Sequence, residues 1–325
     1  MITIRIQEEN KLIETNTVCT GCWIDARYVD KADLERLEHE FGIAGELLTD
    51  IMDMDEQARI EKEESYTALI VRLPVYDAGY EVSFFTMPAG VILFADKIVT
   101  ICQSSSDALE DLTKNRLRGF SIRNKSSFVL NLLGRAAFTF LKALKELNKR
   151  ANFIELELQR SIKNNELIQL LSLQKSLVYF TTSIKTNELL LEKLQKSPLI
   201  RFKEDEWDLL EDVVTENKQA LEMANIYSSI LTGTMDAFAS VISNNLNIVM
   251  KRLTIVSIVL MIPTLVYSFF GMNVELPFAT SSVAVWGIGI ISLVVSIVGA
   301  ILLNTDRKSK KITSRIIPYS LIHTR

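Results

Sequence analysis

The clearest hydrophobic pattern in the chain consists of two uncharged runs, residues 253–270 and 283–303. A membrane-spanning helix needs roughly 20 apolar residues, because hydrocarbon offers no hydrogen-bond partners and the backbone must satisfy itself within the helix. The pattern therefore predicts two transmembrane helices at these positions. Residues 271–282 predict a short connecting loop, so the two spans form a hairpin.

The pattern in residues 1–125 predicts a small α+β domain of the αβα type that contains a β meander. A helical pattern covers residues 31–54. Short β patterns are separated by turn-forming sequences at 77–79, 88–90 and 95–96. The predicted strands cover residues 2–6, 66–75, 81–87, 91–94 and 98–102.

Residues 126–200 predict a hairpin of two long antiparallel helices. The stretch 135–197 contains neither Gly nor Pro, its apolar residues recur every three or four positions, and the Asn164-Asn165 pair is its only plausible break. A further helix is expected to begin at the acidic residues 204–206, which suit a helix N-terminus. Its polar part, 201–252, runs into the first span, which gives a helix about 100 Å long at about 1.5 Å per residue.

Basic residues predict how the hairpin is oriented. Lys251 and Arg252 precede the first span and six basic residues follow the second, whereas the loop 271–282 has no Lys or Arg. The positive-inside rule then places both termini, including the basic tail 304–325, in the cytoplasm and the loop outside the cytoplasmic membrane. The polar residues 1–18 argue against a cleavable signal peptide.

Composition excludes several function classes. The chain has 325 residues and a net charge of −4, and residues 1–252 hold 30 basic against 38 acidic side chains, so nucleic-acid binding is not expected. Two histidines make a histidine-based metal or catalytic site improbable, and three cysteines argue against a disulfide scaffold. With no visible ATP-binding pattern, we expect neither an enzyme nor a bound cofactor.

A stripe of polar residues and methionines follows one face of the long predicted helix. Steps of four and three residues keep these positions on one seam of a slightly supercoiled helix, and copies of such a helix could surround a narrow, weakly polar pore. The alternative is that Ser and Thr bond back to their own turn or lie at ordinary helix contacts. The stripe comprises Asp236, Ser240, Ser243, Asn247, Met250, Thr254, Ser257, Met261, Thr264 and Ser268.

The first span ends in residues 267–273, Tyr-Ser-Phe-Phe-Gly-Met-Asn. Here the sequence resembles the CorA family of divalent-cation transporters, whose signature is Gly-Met-Asn closing the first of two C-terminal membrane helices. Taken alone, Gly271-Met272-Asn273 is also typical of a helix C-cap with Gly or Asn in the left-handed region. The resemblance extends to Asp236, Asn247, residues 250–254, Met261, and more loosely to Trp23-Ile24-Asp25 and Phe41-Gly42-Ile43.

The resemblance implies a cone-shaped homopentamer in which the long helices line a pore below a ring of Asn273 amides. Mg²⁺ holds its water shell tightly, so such amides would bind its waters rather than replace them. Gly271 would let the backbone leave the helix closely, and Met272 would pack to hold the loop. Asn247 and Asp236 would form lower polar rings.

The resemblance also implies constrictions at Met250, Leu253 and Met261, although the stripe prefers Thr254 to Leu253. Glu275 is the only acid in the predicted loop, where family members commonly carry a Met-Pro-Glu-Leu stretch. One acidic ring leaves the choice among Mg²⁺, Co²⁺ and Ni²⁺ open. Entry would be driven by the membrane potential.

Seven acids crowd residues 204–216, mostly as a solvated face. Asp212 is the exception, because it falls where the family places an acid that binds regulatory Mg²⁺ between subunits. Carboxylates held together repel until a divalent ion bridges them, so internal Mg²⁺ would close the pore. We expect the opposing acid in the N-terminal domain, with Asp77 as the candidate.

Two other readings compete with transport. Cys19-Thr20-Gly21-Cys22 has the spacing of a redox pair or half a zinc site, but it lacks a second ligand pair and the context of a thioredoxin motif, so an incidental turn is favoured. A membrane-anchored helical scaffold or signalling protein is the stronger rival. It predicts an apolar heptad seam in place of the polar stripe.

Overall fold

The computed structural model describes residues 1–8, 11–114, 120–160, 164–197, 199–200, 202–272 and 282–313. The chain divides into two compact units, Met1–Asp236 and Ala237–Arg325. We describe each of them separately.

Within the first unit, seven strands form one mixed sheet in the order β2-β1-β3-β7-β6-β5-β4. Neighbouring strands are antiparallel except β3 and β7, which pair in parallel. The strands are β1 (Ile2–Glu8), β2 (Lys11–Thr15), β3 (Trp23–Arg27), β4 (Arg59–Lys62), β5 (Tyr66–Tyr76), β6 (Phe84–Phe94) and β7 (Ile98–Cys102).

Seven helices complete the secondary structure of the described residues. They are α1 (Lys31–Phe41), α2 (Gly45–Met52), α3 (Asp107–Thr113), α4 (Lys125–Arg160), α5 (Asn164–Lys196), α6 (Glu204–Phe270) and α7 (Ser282–Thr313). The helix pair α4 and α5 confirms the predicted long helical hairpin, with its break next to Asn164.

The sheet lies between two helical layers, which confirms the predicted αβα-type fold. Side chains alternate across a strand, so in β3 Trp23 joins one core and Ile24 joins the other. The Trp23 core contains α3, α4, α5 and the start of α6. The Ile24 core is closed by α1 and α2.

The predicted turn at residues 88–90 is wrong, because β6 runs without interruption from Phe84 to Phe94. Pro88 pairs with Arg72 of β5. It directly precedes Ala89, the residue of β6 at which the pairing with β7 ends. The backbone N–H and C=O of Arg72 bond the side-chain amide of Asn187 in α5. A proline at this place therefore removes no ladder hydrogen bond.

The predicted helix over 31–54 is two helices, α1 and α2. Gly42 ends α1 in the left-handed conformation with φ 69°, and its N–H caps the helix, as is typical of glycine just past a helix end. The sequence patterns also missed β2, β3, β4 and α3. All of these elements are short. Of the strands, β3 depends on the distant β7, whereas β2 and β4 pair with strands that adjoin them in the sequence.

The start of α6 is held by one buried carboxylate. Glu206 accepts hydrogen bonds from Asn124 Nδ2 (2.6 Å), Ser126 Oγ and the Lys203 backbone N–H (2.8 Å). The same side chain therefore fixes the beginnings of both α4 and α6. The acidic first turn that the sequence predicted thus includes one residue with a structural role in the core.

In the described part of the chain, three helices are long and apolar enough to cross a membrane: α4, α6 and α7, with mean hydropathies of 1.3, 2.2 and 2.5. The apolar window of α4 is 61% buried in the first unit, which marks α4 as a core helix. The windows of α6 and α7 are 0% and 11% buried, so their apolar surfaces are free to face lipid.

Within the second unit, α7 packs against the end of α6 through small residues. A Cβ at Gly289 would lie 3.2 Å from Tyr267 Oη, and one at Gly299 would lie 3.5 Å from Ile262 Cδ1. Ser292 and Ser296 on the same side of α7 are buried. Small residues of this kind let membrane helices approach closely. Beyond the predicted span, α7 continues to Thr313.

Candidate ion pathway and regulatory acids

The polar stripe lies on α6, a single helix of 67 residues that ends at Phe270 as the sequence predicts. The stripe residues from Ser240 to Ser268 are all exposed in the single chain. Most of this part of α6 is exposed, so exposure alone does not distinguish the stripe. A half-buried line does run along the helix, formed by Ile255, Val259, Ile262 and Val266. The stripe is a different face of the helix and remains accessible.

Three stripe hydroxyls bond back to their own helix. Thr254 Oγ1 donates to the Met250 carbonyl at 2.9 Å, Ser257 Oγ to the Leu253 carbonyl at 3.0 Å, and Thr264 Oγ1 to the Leu260 carbonyl at 2.9 Å. This is the geometry that the non-pore alternative predicts. It occupies the hydroxyl proton and leaves the oxygen lone pairs free. Waters bound to a cation point their hydrogens outward, so such oxygens can still accept from a hydrated ion.

The large apolar residues proposed as constrictions are exposed in the single chain: Met250 is 51% exposed, Leu253 59% and Met261 67%. Leu253 and Thr254 are both exposed, so exposure does not choose between them as the constriction. Asp236 is also exposed, at the end of the first unit. Asn247 lies exposed on the stripe in the second unit.

Gly271 and Met272 are the last described residues before the loop. Gly271 N–H donates to the Tyr267 carbonyl at 2.9 Å, and Gly271 does not adopt a positive φ. The left-handed C-cap is therefore not formed at Gly271. A Cβ there would lie 3.2 Å from the Tyr267 carbonyl oxygen, so glycine lets the chain stay close to the helix end. Asn273 and Glu275 fall outside the described residues.

Asp212 lies exposed on the part of α6 that packs against α4. Glu216 follows one turn later on α6. Its pKa is raised by partial burial and by the charge of Asp212, and the positive charge of Arg135 in α4 opposes the rise. Asp212 and Glu216 are therefore close enough to repel each other. That is the condition in which a divalent cation stabilises a pair of carboxylates.

Asp77, the proposed partner of Asp212, is exposed in the turn between β5 and β6. Its Oδ1 accepts a hydrogen bond from the Gly79 N–H at 2.8 Å, which is a local turn contact. Among the described residues, no group of three or more His, Cys, Asp or Glu side chains is arranged to hold a metal. The pairing of Asp77 with Asp212 stays a prediction.

Two arginines that the sequence pattern did not single out lie among acids. Arg59 Nη2 lies 2.6 Å from Asp50 Oδ2, and its guanidinium also contacts Glu56 and Glu61. Arg135 lies 3.7 Å from Asp111 and acts on Glu216. The acid-rich segment 50–56 was visible in the sequence. The effect of Arg135 on Glu216 in α6 was not, because the two residues are far apart along the chain.

The N-terminal residues that carry the looser resemblance have structural roles. Trp23 Nε1 donates to Thr100 Oγ1 at 2.9 Å, and Thr100 donates to the buried Asp25 at 3.0 Å. Asp25 also pairs with Arg5 at 2.6 Å and with Arg27 at 2.8 Å. A buried charge needs such partners. Trp23 and Asp25 therefore hold the centre of the sheet together.

Cys19 and Cys22 form a turn, with Gly21 at φ 83° and a hydrogen bond from Cys22 N–H to the Cys19 carbonyl at 3.2 Å. Cys19 is exposed, Cys22 is buried, and the three cysteines are free thiols. Burial raises the pKa of the Cys22 thiol and raises that of Cys102 to about 12. The pair belongs to the turn that leads into β3.

Comparison with known proteins gives matches along almost the whole chain. A family model described as "CorA-like Mg2+ transporter protein" matches residues 20–308. The cobalt/magnesium transport protein CorA of Methanocaldococcus jannaschii is 26% identical over 270 residues, which cover 81% of this chain and 84% of that protein. The protein of the same name from Thermotoga maritima is 22% identical over 302 residues, which cover 90% of this chain and 83% of that protein.

The fold has a close match among solved structures. The complete structure of the CorA magnesium transporter from Methanocaldococcus jannaschii superposes with a TM-score of 0.78 at 20% sequence identity. The match covers 93% of this chain and 96% of that one. At this identity the likeness shows the fold, which includes both the αβα unit and the helices of the second unit.

Proposed function

Because the chain belongs to the CorA-like Mg²⁺ transporter family, we propose that it carries Mg²⁺ into the cell through a pore lined by copies of α6. The observation that carries the proposal is the polar stripe, which remains exposed on a face of α6 other than the half-buried line of the second unit. Its relatives are named as transporters of cobalt and magnesium. Mg²⁺ is the substrate, with Co²⁺ and Ni²⁺ as further candidates.

Five subunits would surround one pore. Asn273 amides form the entrance and bind the waters of the hydrated ion, Gly271 and Met272 hold the loop on the helix end, and Glu275 supplies the outer acidic ring. Below them, the hydroxyl oxygens of the stripe accept hydrogen bonds from those waters, while Met250, Met261 and Leu253 or Thr254 narrow the path. Binding the water shell avoids the high cost of dehydrating Mg²⁺.

Inward movement needs no chemical reaction. A membrane potential of 100 mV is worth about 2.3 kcal/mol for each elementary charge, and a divalent ion experiences about twice that value. The αβα unit and both termini lie in the cytoplasm, on the basic sides of the two spans. The second unit spans the cytoplasmic membrane as a hairpin.

Cytoplasmic Mg²⁺ would close the pore through Asp212. At high internal Mg²⁺ an ion bridges Asp212 and an acid of the neighbouring subunit, for which Asp77 is the candidate. When internal Mg²⁺ falls, the ion leaves, the carboxylates repel, and the subunits separate enough for the pore to open.

Uptake of Mg²⁺ into proteoliposomes that contain a Mg²⁺ indicator tests the proposal. The Asn273→Ala variant is expected to lose most of the flux under an inside-negative potential. Asn245→Ala is the matched control, because it removes an exposed amide from a position of α6 that is not on the stripe. Equal flux through the wild type and Asn273→Ala would contradict a selective Asn273 ring. Absence of flux through the wild type would favour a scaffold.

A further inference from the structure

A cavity of about 770 Å³ lies in the first unit beside the middle of α4. Its walls come from α4, from the end of β5 and the beginning of β6, and from the segment that leads into α3. The volume is in the range of pockets that hold small organic ligands. The described residues that line it include neither Asp212 nor any residue of the stripe. The proposed ion pathway therefore leaves this cavity without a role.

The cavity is positively charged, although residues 1–252 as a whole hold more acidic than basic side chains. Two acids line it, and each already has a cation. Asp107 Oδ2 lies 2.9 Å from Lys142 Nζ, and Glu146 Oε1 lies 3.1 Å from Arg150 Nε. The four cations of the lining are all on α4: Lys142, Lys145, Lys149 and Arg150. Two positive charges therefore remain after pairing.

The two remaining charges are Lys145 and Lys149, which lie one turn apart and are both exposed. In the described part of the chain, neither lysine has an ion pair or a hydrogen bond. Like charges four residues apart destabilise a helix. An anion bound between the two lysines would offset this repulsion, so the pair is suited to a ligand with more than one negative charge.

Aromatic rings form another side of the cavity. The guanidinium carbon of Arg150 lies 4.9 Å from the ring centres of both Tyr76 and Phe84, which holds the three groups together. The Tyr76 side of the cavity stays open, since Tyr76 is 51% exposed. Phe138 in α4 also lines the cavity and is 49% exposed. Exposed rings beside cations suit a ligand that joins a flat ring to anionic groups, because the ring can stack while the anion pairs with the lysines.

We propose that this cavity binds a nucleotide, with its phosphates at Lys145 and Lys149 and its base against Tyr76. A nucleoside triphosphate has both features that the lining requires, a flat heteroaromatic ring and several negative charges. The lysines lie on a helix and Tyr76 at the end of a strand 69 positions earlier in the chain, so the site leaves no local motif in the sequence. Binding is separate from ion transport and involves no hydrolysis.

Isothermal titration of the full-length protein in detergent with ATP tests the proposal. EDTA in the buffer removes divalent cations, so the result does not depend on the proposed ion sites. We expect saturable binding that weakens about two- to thirtyfold in Lys145→Gln/Lys149→Gln, the range for two partly exposed charge pairs. Lys62→Gln/Lys218→Gln is the matched control, because it removes two exposed lysines that do not line the cavity.

The contribution of the ring is tested separately. Tyr76→Leu is expected to weaken ATP binding about fivefold or more, the usual effect of losing one stacking ring. Tyr80→Leu is its control, since Tyr80 is 62% exposed and does not line the cavity. Inorganic tripolyphosphate should bind more weakly than ATP. Equal affinities for tripolyphosphate and ATP would overturn the assignment to a nucleotide.

Three further outcomes would overturn the proposal. They are the absence of saturable ATP binding to the wild type, equal affinity in the wild type and Lys145→Gln/Lys149→Gln, and an equal loss in the Lys62→Gln/Lys218→Gln control. Melting curves without ATP show whether each variant is folded, and Lys145→Met/Lys149→Met serves as a second neutral pair. No readout here is an ion flux, so failure of nucleotide binding leaves the proposed transport untouched.

Discussion

At the scale of single residues, the close contacts of this fold depend on a few small side chains. Gly90 in β6 is the clearest case, since a Cβ there would overlap the Cδ1 atom of Ile51 in α2. The helix therefore rests directly on the sheet at Gly90. The sequence suggested a turn for this glycine, whereas its role is to leave space for a neighbouring layer.

Gly90→Ala is expected to lower the free energy of unfolding of the first unit by about 1–3 kcal/mol, the usual cost of forcing a methyl group into a packed core. Urea denaturation followed by circular dichroism measures it. Gly233→Ala is the control, because no atom lies within 4 Å of its added Cβ. There alanine should be neutral or should stabilise the helix by about 0.5–1 kcal/mol. Equal destabilisation by both would contradict the packing argument.

The three thiols differ in environment, so their reactivities should differ as well. Cys19 is exposed, whereas burial shields Cys22 and Cys102 and raises the pKa of both. Because the thiolate is the reactive form, a maleimide at pH 7 should label one cysteine per folded chain and three in denaturant. Mass spectrometry counts the labels. Cys19→Ser should abolish labelling of the folded protein, and rapid labelling of Cys22 would show that the turn opens.

At the scale of elements, α6 has two distinct faces, which the proposed function uses differently. The half-buried line from Ile255 to Val266 belongs to the packing of the second unit, while the stripe keeps polar oxygens and methionines at the surface. Back-bonding gives the stripe hydroxyls a partner for their protons within the helix and still leaves acceptor lone pairs. One helix can therefore be both membrane anchor and pore wall.

The stripe predicts a difference between two asparagines that are two positions apart and are both exposed. Asn247→Leu is expected to reduce Mg²⁺ flux about tenfold or more, since each lost hydrogen bond is worth about 0.5–1.5 kcal/mol and every subunit contributes one. Asn245→Leu, off the stripe, should retain most of the flux. Proteoliposome uptake measures both. A larger loss at Asn245 would place another face of α6 along the pore.

The packing of α7 on α6 gives a second prediction at this scale. Gly289→Leu would place a large side chain against the Tyr267 hydroxyl, whereas the Cβ of Gly287→Leu meets no atom within 4 Å. We expect the first variant to melt at a lower temperature in detergent, by an overpacking cost of about 1–3 kcal/mol. The second variant should melt like the wild type. The reverse order would mean that the other face of α7 contacts α6.

At the scale of the whole molecule, the proposed gating requires neighbouring copies of the chain. Within one subunit, the charge of Asp212 acts on Glu216, and the proposed ion would join Asp212 to an acid of the next. Mg²⁺ would then act on the assembly through the difference in its affinity for the closed and open states. Its control of flux would then be a property of the oligomer and not of one subunit.

Asp212→Asn is expected to leave substantial flux at internal Mg²⁺ concentrations that close the wild type, because the amide cannot bind the bridging ion as a carboxylate does. Flux measured against internal Mg²⁺ tests this expectation. Asp205→Asn, which changes another exposed acid of the same helix, serves as the control and should be inhibited normally. Normal inhibition of Asp212→Asn would remove this residue from the sensor.

The sequence alone was sufficient for the two apolar spans, the helix pair α4 and α5, and both ends of α6, since these features follow from composition and periodicity within a short stretch of chain. It also contained the residues that resemble the CorA family. Other features needed the tertiary structure. These are the parallel pairing of β3 with β7, the continuity of β6 through Pro88, and the effect of Arg135 in α4 on Glu216 in α6, 81 positions further along the chain. Each of these features depends on contacts between segments that are distant in the sequence. Such contacts can outweigh the local propensity of the residues involved.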